Sequence, residues 1–298
     1  MSTLPYLIKR NIKVFFKDKG MFFTSLITPG ILLVLYVTFL GNLYKQTFNS
    51  FIPADLVGVI PKKIVNAAVG GQLAASLLAV CCVTVAFCCN MLMVQDKVTG
   101  ARNDFLVTPV SKSAMALGYY IATFVATAIV CLGAAALCFG YLAIVGWYLS
   151  FIDVLLLIAD VLLLVLFGTA ISSLINVFLS TQGQISAVGT IVSAGYGFIC
   201  GAYMPISQFN EGLQKAVMFL PGTYGTALIK NHTLRGPLNE LAKYSFPIEQ
   251  IKADLDCKLL FFGSNVSFSA MYAVLVISIT VLIAVYVGIN LLRKNKKK

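Results

Sequence analysis

Few residues in this chain of 298 have the type or spacing to do chemistry. There is a single histidine, His232, and it sits in no triad or zinc-motif pattern. No GxxxxGK[ST] loop occurs, so the chain does not bind ATP through that phosphate cradle. Of the eight cysteines, Cys81, Cys82, Cys88, Cys89, Cys131, Cys138 and Cys200 fall inside apolar runs, where a thiol acts as a small hydrophobe. CCVTVAFCC carries no histidine or carboxylate between its pairs, which argues against a metal. Cys257 alone lies in a polar segment, so no disulfide framework is legible. That leaves two carboxylates. Asp160 is the charged residue deep in an apolar run, and Asp153 precedes it by seven residues, close to two helical turns, so the two share a face. A carboxylate deep in lipid costs at least about 2.5–3.5 kcal/mol on insertion scales. Asp160 must therefore face a neighbouring helix or a hydrated path. A structural partner (a tyrosine, an asparagine or a backbone donor) and a place on a substrate route both meet that requirement.

The elements that position these residues follow from composition. Hydrophobic residues make up 59% of the chain and charged residues 11%, with a mean hydropathy of +0.90. Soluble domains carry roughly 25% charge, so too little is left to cover a water-facing surface. Runs such as VLLLIADVLLLVLFG do not alternate as barrel strands do. The fold class is an all-α membrane protein with six spans, near residues 21–40, 73–94, 114–145, 152–179, 185–201 and 270–292. The net charge of +11 belongs to the flanks of these runs and not to a nucleic-acid-binding domain: Lys9, Arg10, Lys13, Lys17 and Lys19 open the chain, and Arg293, Lys294, Lys296, Lys297 and Lys298 close it. An even span count with two basic termini puts both termini in the cytoplasm. Residues 95–113 are then cytoplasmic and residues 202–269 external. No cleavable signal peptide is evident.

Two short segments look built for surfaces. LPYLIKRNIKVFFKDKG places Leu4, Ile8, Ile12 and Phe15 at helical spacing, with Lys9, Lys13 and Lys17 on an adjoining stripe. That pattern fits a helix lying in the membrane surface or a simple charged anchor. In QDKVTGARNDFLVTPVSKS, Asp96 can cap a helix starting near Lys97, with Val98, Ala101 and Phe105 on one face. Pro109 stops that helix near Val107, and Ser111 or Ser113 can cap the next span. Such a helix could dock a protein or lie on lipid.

QDKVTGARNDFLVTPVSKSAMALG resembles the segment after the second span in permeases of type-2 ABC exporters, where a glycine and a Leu/Val-Thr-Pro-Val/Leu-Ser element precede span three. FICGAYMPISQFNEGLQKAVMFLPGTYGTALIKN resembles that family's segment after span five, with its Pro-Ile/Leu-Ser and Leu-Pro-x-x-Tyr elements. The charged insert at residues 231–267 is longer than the pattern, and its sequons at Asn231 and Asn265 read as chance in a bacterial protein.

The resemblance implies a single permease domain over residues 1–298, multi-pass in the cell membrane, non-catalytic and without a cofactor of its own. ATP and Mg would belong to partner ABC ATPase subunits, two per complex, with a second permease subunit completing a homodimer or related heterodimer. Residues 95–113 would carry the coupling helix, with Val98, Ala101, Arg102, Asp104, Phe105 and Leu106 meeting the ATPase. Ile8, Lys9, Ile12, Lys13 and Phe16 would make an interface helix on membrane lipid. Met204, Pro205, Phe219, Leu220, Pro221 and Tyr224 would belong to short re-entrant helices at the exit. Gly197 and Gly201 would pack the pair along spans one and five. The cargo would be amphipathic or hydrophobic: a drug, toxin, lipid-like molecule or peptide antibiotic. A polysaccharide or teichoic-acid permease is the alternative within the class. An ATP-independent secondary transporter using Asp160, or an immunity or sensor protein, is the alternative outside it.

Overall fold

Among the residues described by the computed structural model (4–50, 59–107, 110–244 and 248–292), five helices are long and apolar enough to cross a membrane. The basic residues that close the chain, and Thr108 and Pro109, lie outside them. Helix α1 (Leu4–Lys17) leads into α2 (Lys19–Leu35), which continues through a π-helical turn (Tyr36–Leu40) into α3 (Gly41–Ser50). Then come α4 (Lys62–Val98), α5 (Ala101–Leu106), α6 (Lys112–Val145), α7 (Phe151–Phe178) and α8 (Gln182–Ile199). A 3-10 turn (Ile206–Gln208), α9 (Glu211–Val217), α10 (Pro221–Ala242) and α11 (Ile248–Asp254) precede a small antiparallel hairpin, β1 (Leu260–Phe261) and β2 (Ser264–Asn265), and α12 (Phe268–Leu292). The membrane-length helices are Lys19–Gln46, α4, α6, α7 and α12.

Helix α4 is the axis. In its most apolar window 94% of residues are buried, against 18% for Lys19–Gln46 and 17% for α12. Its sequence allows this because it is apolar on every side and rich in small residues. Ala67, Ala68, Gly70, Gly71, Ala74 and Ala75 let neighbouring helices approach closely. At Gly168 on α7 a Cβ would stand 2.6 Å from the Cys82 carbonyl oxygen, so only glycine permits that contact. Helices α6, α7 and α10 surround the axis. Side-chain caps set the starts: Asp18 for α2, Ser111 for α6, and reciprocal capping boxes of Ser150 with Asp153 for α7 and Thr181 with Gln184 for α8.

Several expectations need correction. The second apolar element is 37 residues long, not 73–94, and reaches about 55 Å at the helical rise. Residues 62–72, between the first two expected spans, are therefore part of this helix. The stretch after span five is not a set of short dipping helices alone. Its main element, α10, has 22 residues and is buried along most of its length against α4, α7 and α12. Helix α8 covers residues 185–199, but with Gln182 and Gln184 in its first turn it is not among the membrane-length helices. On α1 the buried face is Leu7, Asn11 and Phe15; of the expected stripe Phe15 is buried, while Leu4, Ile8 and Ile12 are half-buried with Phe16, and Lys9, Lys13 and Lys17 are exposed as expected.

Candidate functional site

Helix α4 ends in a clamp. Asp96 does not cap a helix; it is buried, and its carboxylate collects donors from two other helices. Arg10 Nη2 of α1 donates to Oδ1 at 3.1 Å, and Arg10 Nη1 pairs with Oδ2. The Tyr119 hydroxyl of α6 donates to Oδ2 at 2.6 Å. The hydrogen bond to Asp96, ahead of the opposing cost of burial, raises the pKa of Arg10, so its charge is secure. The next residue, Lys97, donates through Nζ to the carbonyls of Asn176 (2.8 Å), Val177 (3.1 Å) and Leu179 (3.0 Å). These carbonyls end α7, where helix termini lack partners and the dipole favours a cation. Two consecutive residues thus fasten the last turn of α4 to α1, α6 and α7.

Beyond the clamp the chain turns once and presents α5. Gly100 adopts φ +83°, a left-handed conformation that breaks the expected helix from Lys97 to Val107 into two. Asp104 is exposed, Arg102 and Ala101 are half-buried, and Val98 is 47% exposed. Phe105 is half-buried, with the Arg10 guanidinium 5.3 Å from its ring centre, so it is partly turned towards α1. The side chain of Leu106 lies outside the described residues. Val107, at 87% exposed the barest apolar residue of this end, was missing from the expected contacts.

At the opposite end, Asp160 finds two partners. Tyr272 OH of α12 donates to Oδ1 at 2.6 Å, and His232 Nδ1 of α10 lies 2.5 Å from Oδ2. Asp153 closes the α7 capping box and pairs with Arg235 at 2.6 Å. Lys230 and Asp256 form a further buried pair, absent from the expected site residues.

Between α2 and α8 runs a cavity of about 1500 Å³, lined also by Met91 and Gln95 of α4 and by Met204 and Pro205. Its walls mix apolar side chains with hydroxyls at helical spacing: Thr24 and Thr28 on α2, Ser186, Thr190 and Ser193 on α8. A family model described as ABC-2 family transporter protein matches residues 60–292, which take in α4 through α12. The chain belongs to the ABC-2 family of transporter proteins. As an ABC-2 permease it is a multi-pass membrane protein and a component of a membrane transporter, a family that associates generally with an ABC ATPase. No curated protein matches the chain at a significant level.

Other expected residues of this ABC-2 permease are dispersed. Pro221 is the first residue of α10, where its missing N–H costs nothing, and the Tyr224 hydroxyl donates to the Met218 carbonyl at 2.6 Å. Phe219 and Leu220 are exposed just before it. Gly197 and Gly201 do not present an open packing surface. The Tyr203 ring fills the space beside Gly197, while Gly201 has φ +72° and lies against Ile206 and Asp256. Their smallness is used within the chain.

All eight cysteines, Cys257 included, are free and buried, and no group of three or more metal-ligating side chains occurs among the described residues.

Proposed function

We propose that this chain is the non-catalytic membrane subunit of an ATP-driven exporter, with ATP and Mg bound by separate ATPase subunits that seat on the α4–Gly100–α5 turn. The observation that carries this reading is the clamp of Asp96 and Lys97. A load applied at α5 passes directly into α1, α4, α6 and α7, so closure of the ATPase would move these helices as a body. In this reading α8 is the fifth of six spans, both termini are cytoplasmic, α1 lies at the inner membrane surface, and a second permease faces the groove between α2 and α8. Apolar walls with hydroxyl rows suit an amphipathic cargo: apolar side chains accept its body, and Thr24, Thr28, Ser186 and Thr190 accept its polar groups.

The test is co-purification. Val98→Asp with Val107→Asp alters two exposed side chains and leaves the clamp intact. The double variant should insert normally and lose its ATPase partner. Persistent association would move the dock elsewhere, and absence of any nucleotide-binding partner from the wild type would remove the ATP-driven reading.

A further inference from the structure

A second cavity, of about 540 Å³, lies at the α10–α12 end, formed by residues distinct from those of the groove and of α5. Three cations line it, each from a different segment: Arg235 on α10, Lys252 on α11 and Lys258 on the turn before β1. Asn231, Asn239 and Asn265 add amide groups, and no aspartate or glutamate is among its lining residues. The carboxylates that balance these cations stand off the wall. Asp153 pairs with Arg235, and Glu249 pairs with Lys252 at 3.4 Å and with Lys258. His232 and Tyr272 complete the polar wall and are held from behind by Asp160. Asn231 ties the turn to α10, donating to the carbonyls of Cys257 (2.7 Å) and Ala227 (2.8 Å), so the cations are carried on a fixed frame.

The remaining wall is apolar: Leu238, Cys257 and Val266 contribute to it, and Leu156 on α7 with Phe268 and Met271 on α12 bring in two membrane-length helices. On the same two helices Phe151, Ile152, Leu155 and Phe268 are exposed. A cavity that combines cationic and amide donors with apolar residues of two membrane-length helices matches a molecule with an anionic head and an apolar body. We propose that it seats a phosphate-bearing anionic amphiphile, the headgroup among Arg235, Lys252 and Lys258 and the chains along α7 and α12. Glu249 is largely exposed, so its pairs with the two lysines are weak and either lysine can turn to the headgroup at little cost. This site does not depend on the export reading.

The experiment is native mass spectrometry of the full chain, with its partner subunits where they co-purify, released from bilayers of phosphatidylcholine containing a minority of phosphatidylglycerol. The wild type should retain phosphatidylglycerol preferentially. Lys252→Gln with Lys258→Gln should lower that retention roughly thirtyfold, given about a kcal/mol per lysine near an anionic headgroup. Glu249→Gln, which frees both lysines without removing a cation, should raise it, and this variant decides the matter if the double variant fails to fold. Inorganic phosphate in lipid-free detergent separates the sources. If it raises the unfolding temperature of the wild type but not of the double variant, and no lipid is retained, the anion site stands and the lipid assignment falls. Equal phosphatidylglycerol retention by wild type and both variants, with no phosphate effect, overturns the proposal.

Discussion

Lys230 has no solvent exposure, and its ammonium lies 3.0 Å from Asp256 Oδ2 and 2.8 Å from the Gly201 carbonyl. Asp256, itself buried, also accepts the Ile206 N–H at 2.9 Å and sits at φ +58°, a conformation that aspartate tolerates better than most residues. The pair therefore locks α10 to the turn after α8 and to the turn after α11, which lies within the charged insert. Breaking a buried pair costs more than omitting it, because the survivor is left as an uncompensated charge. Lys230→Met should lower stability by about 3–5 kcal/mol, and Asp256→Asn by a similar amount. The double variant should recover part of that loss, as unfolding in detergent would record; additive losses would show that the two charges do not interact. Asp160 makes the same point differently. Its need for a partner was legible in the cost of a carboxylate in an apolar run, and tyrosine was among the partners foreseen. That the partners are His232 and Tyr272 was not legible, because they lie 72 and 112 residues away and only the packing of α10 and α12 against α7 joins them.

Among the elements, the turn at Gly100 can be tested most directly. A Cβ at this glycine would meet open space, so any effect of substitution comes from its left-handed backbone and not from a clash. Left-handed conformation costs a residue with a side chain roughly 1–2 kcal/mol, and asparagine least. Gly100→Ala should therefore weaken ATPase association more than Gly100→Asn, with insertion unchanged for both; equal effects would show that the turn geometry does not set the docking surface. The sequence pointed to a short polar element between two long apolar ones, and α5 is there. It misread the cap, because Asp96 followed by Lys97 has the local pattern of a helix start while tertiary partners on α1, α6 and α7 had stronger claims on both side chains. On α1 the expected stripe shares only Phe15 with the buried face for a related reason: Asn11 is polar, so apolar periodicity passed over a residue that packing buries. Helix α10 was underestimated because Lys230, His232 and Arg235 make it look like water-facing chain, although each has an aspartate partner. Hydropathy reports the medium a segment would choose alone, not the partners that a bundle supplies.

For the whole molecule, the distribution of exposed surface bears on how two permeases would meet. Exposed residues on the outer walls of α6 and α12 include Leu137, Ile144, Ile277 and Val281, apolar side chains at home in lipid. The exposed side of α8 differs, carrying Ser186 and Thr190 beside Ile191 and Ala194, and α2 sets Thr24 opposite across the groove. Small and hydroxyl-bearing residues gain little from lipid and pack closely against another helix. With Gly197 and Gly201 already closed within the chain, pairing along α2 and α8 must use this stripe instead. Single cysteines can test it, since all eight native cysteines are buried and should react little. Ile191, Leu137 and Ile277 are comparably exposed, at 70%, 74% and 62%, so accessibility alone does not separate them. Ile191→Cys should form disulfide-linked dimers under mild oxidation in the membrane, whereas Leu137→Cys and Ile277→Cys should remain monomeric. Equal cross-linking at all three positions would point to random collision. Cross-linking at Leu137 or Ile277 alone would place the second subunit against α6 or α12 and leave the groove between α2 and α8 facing lipid.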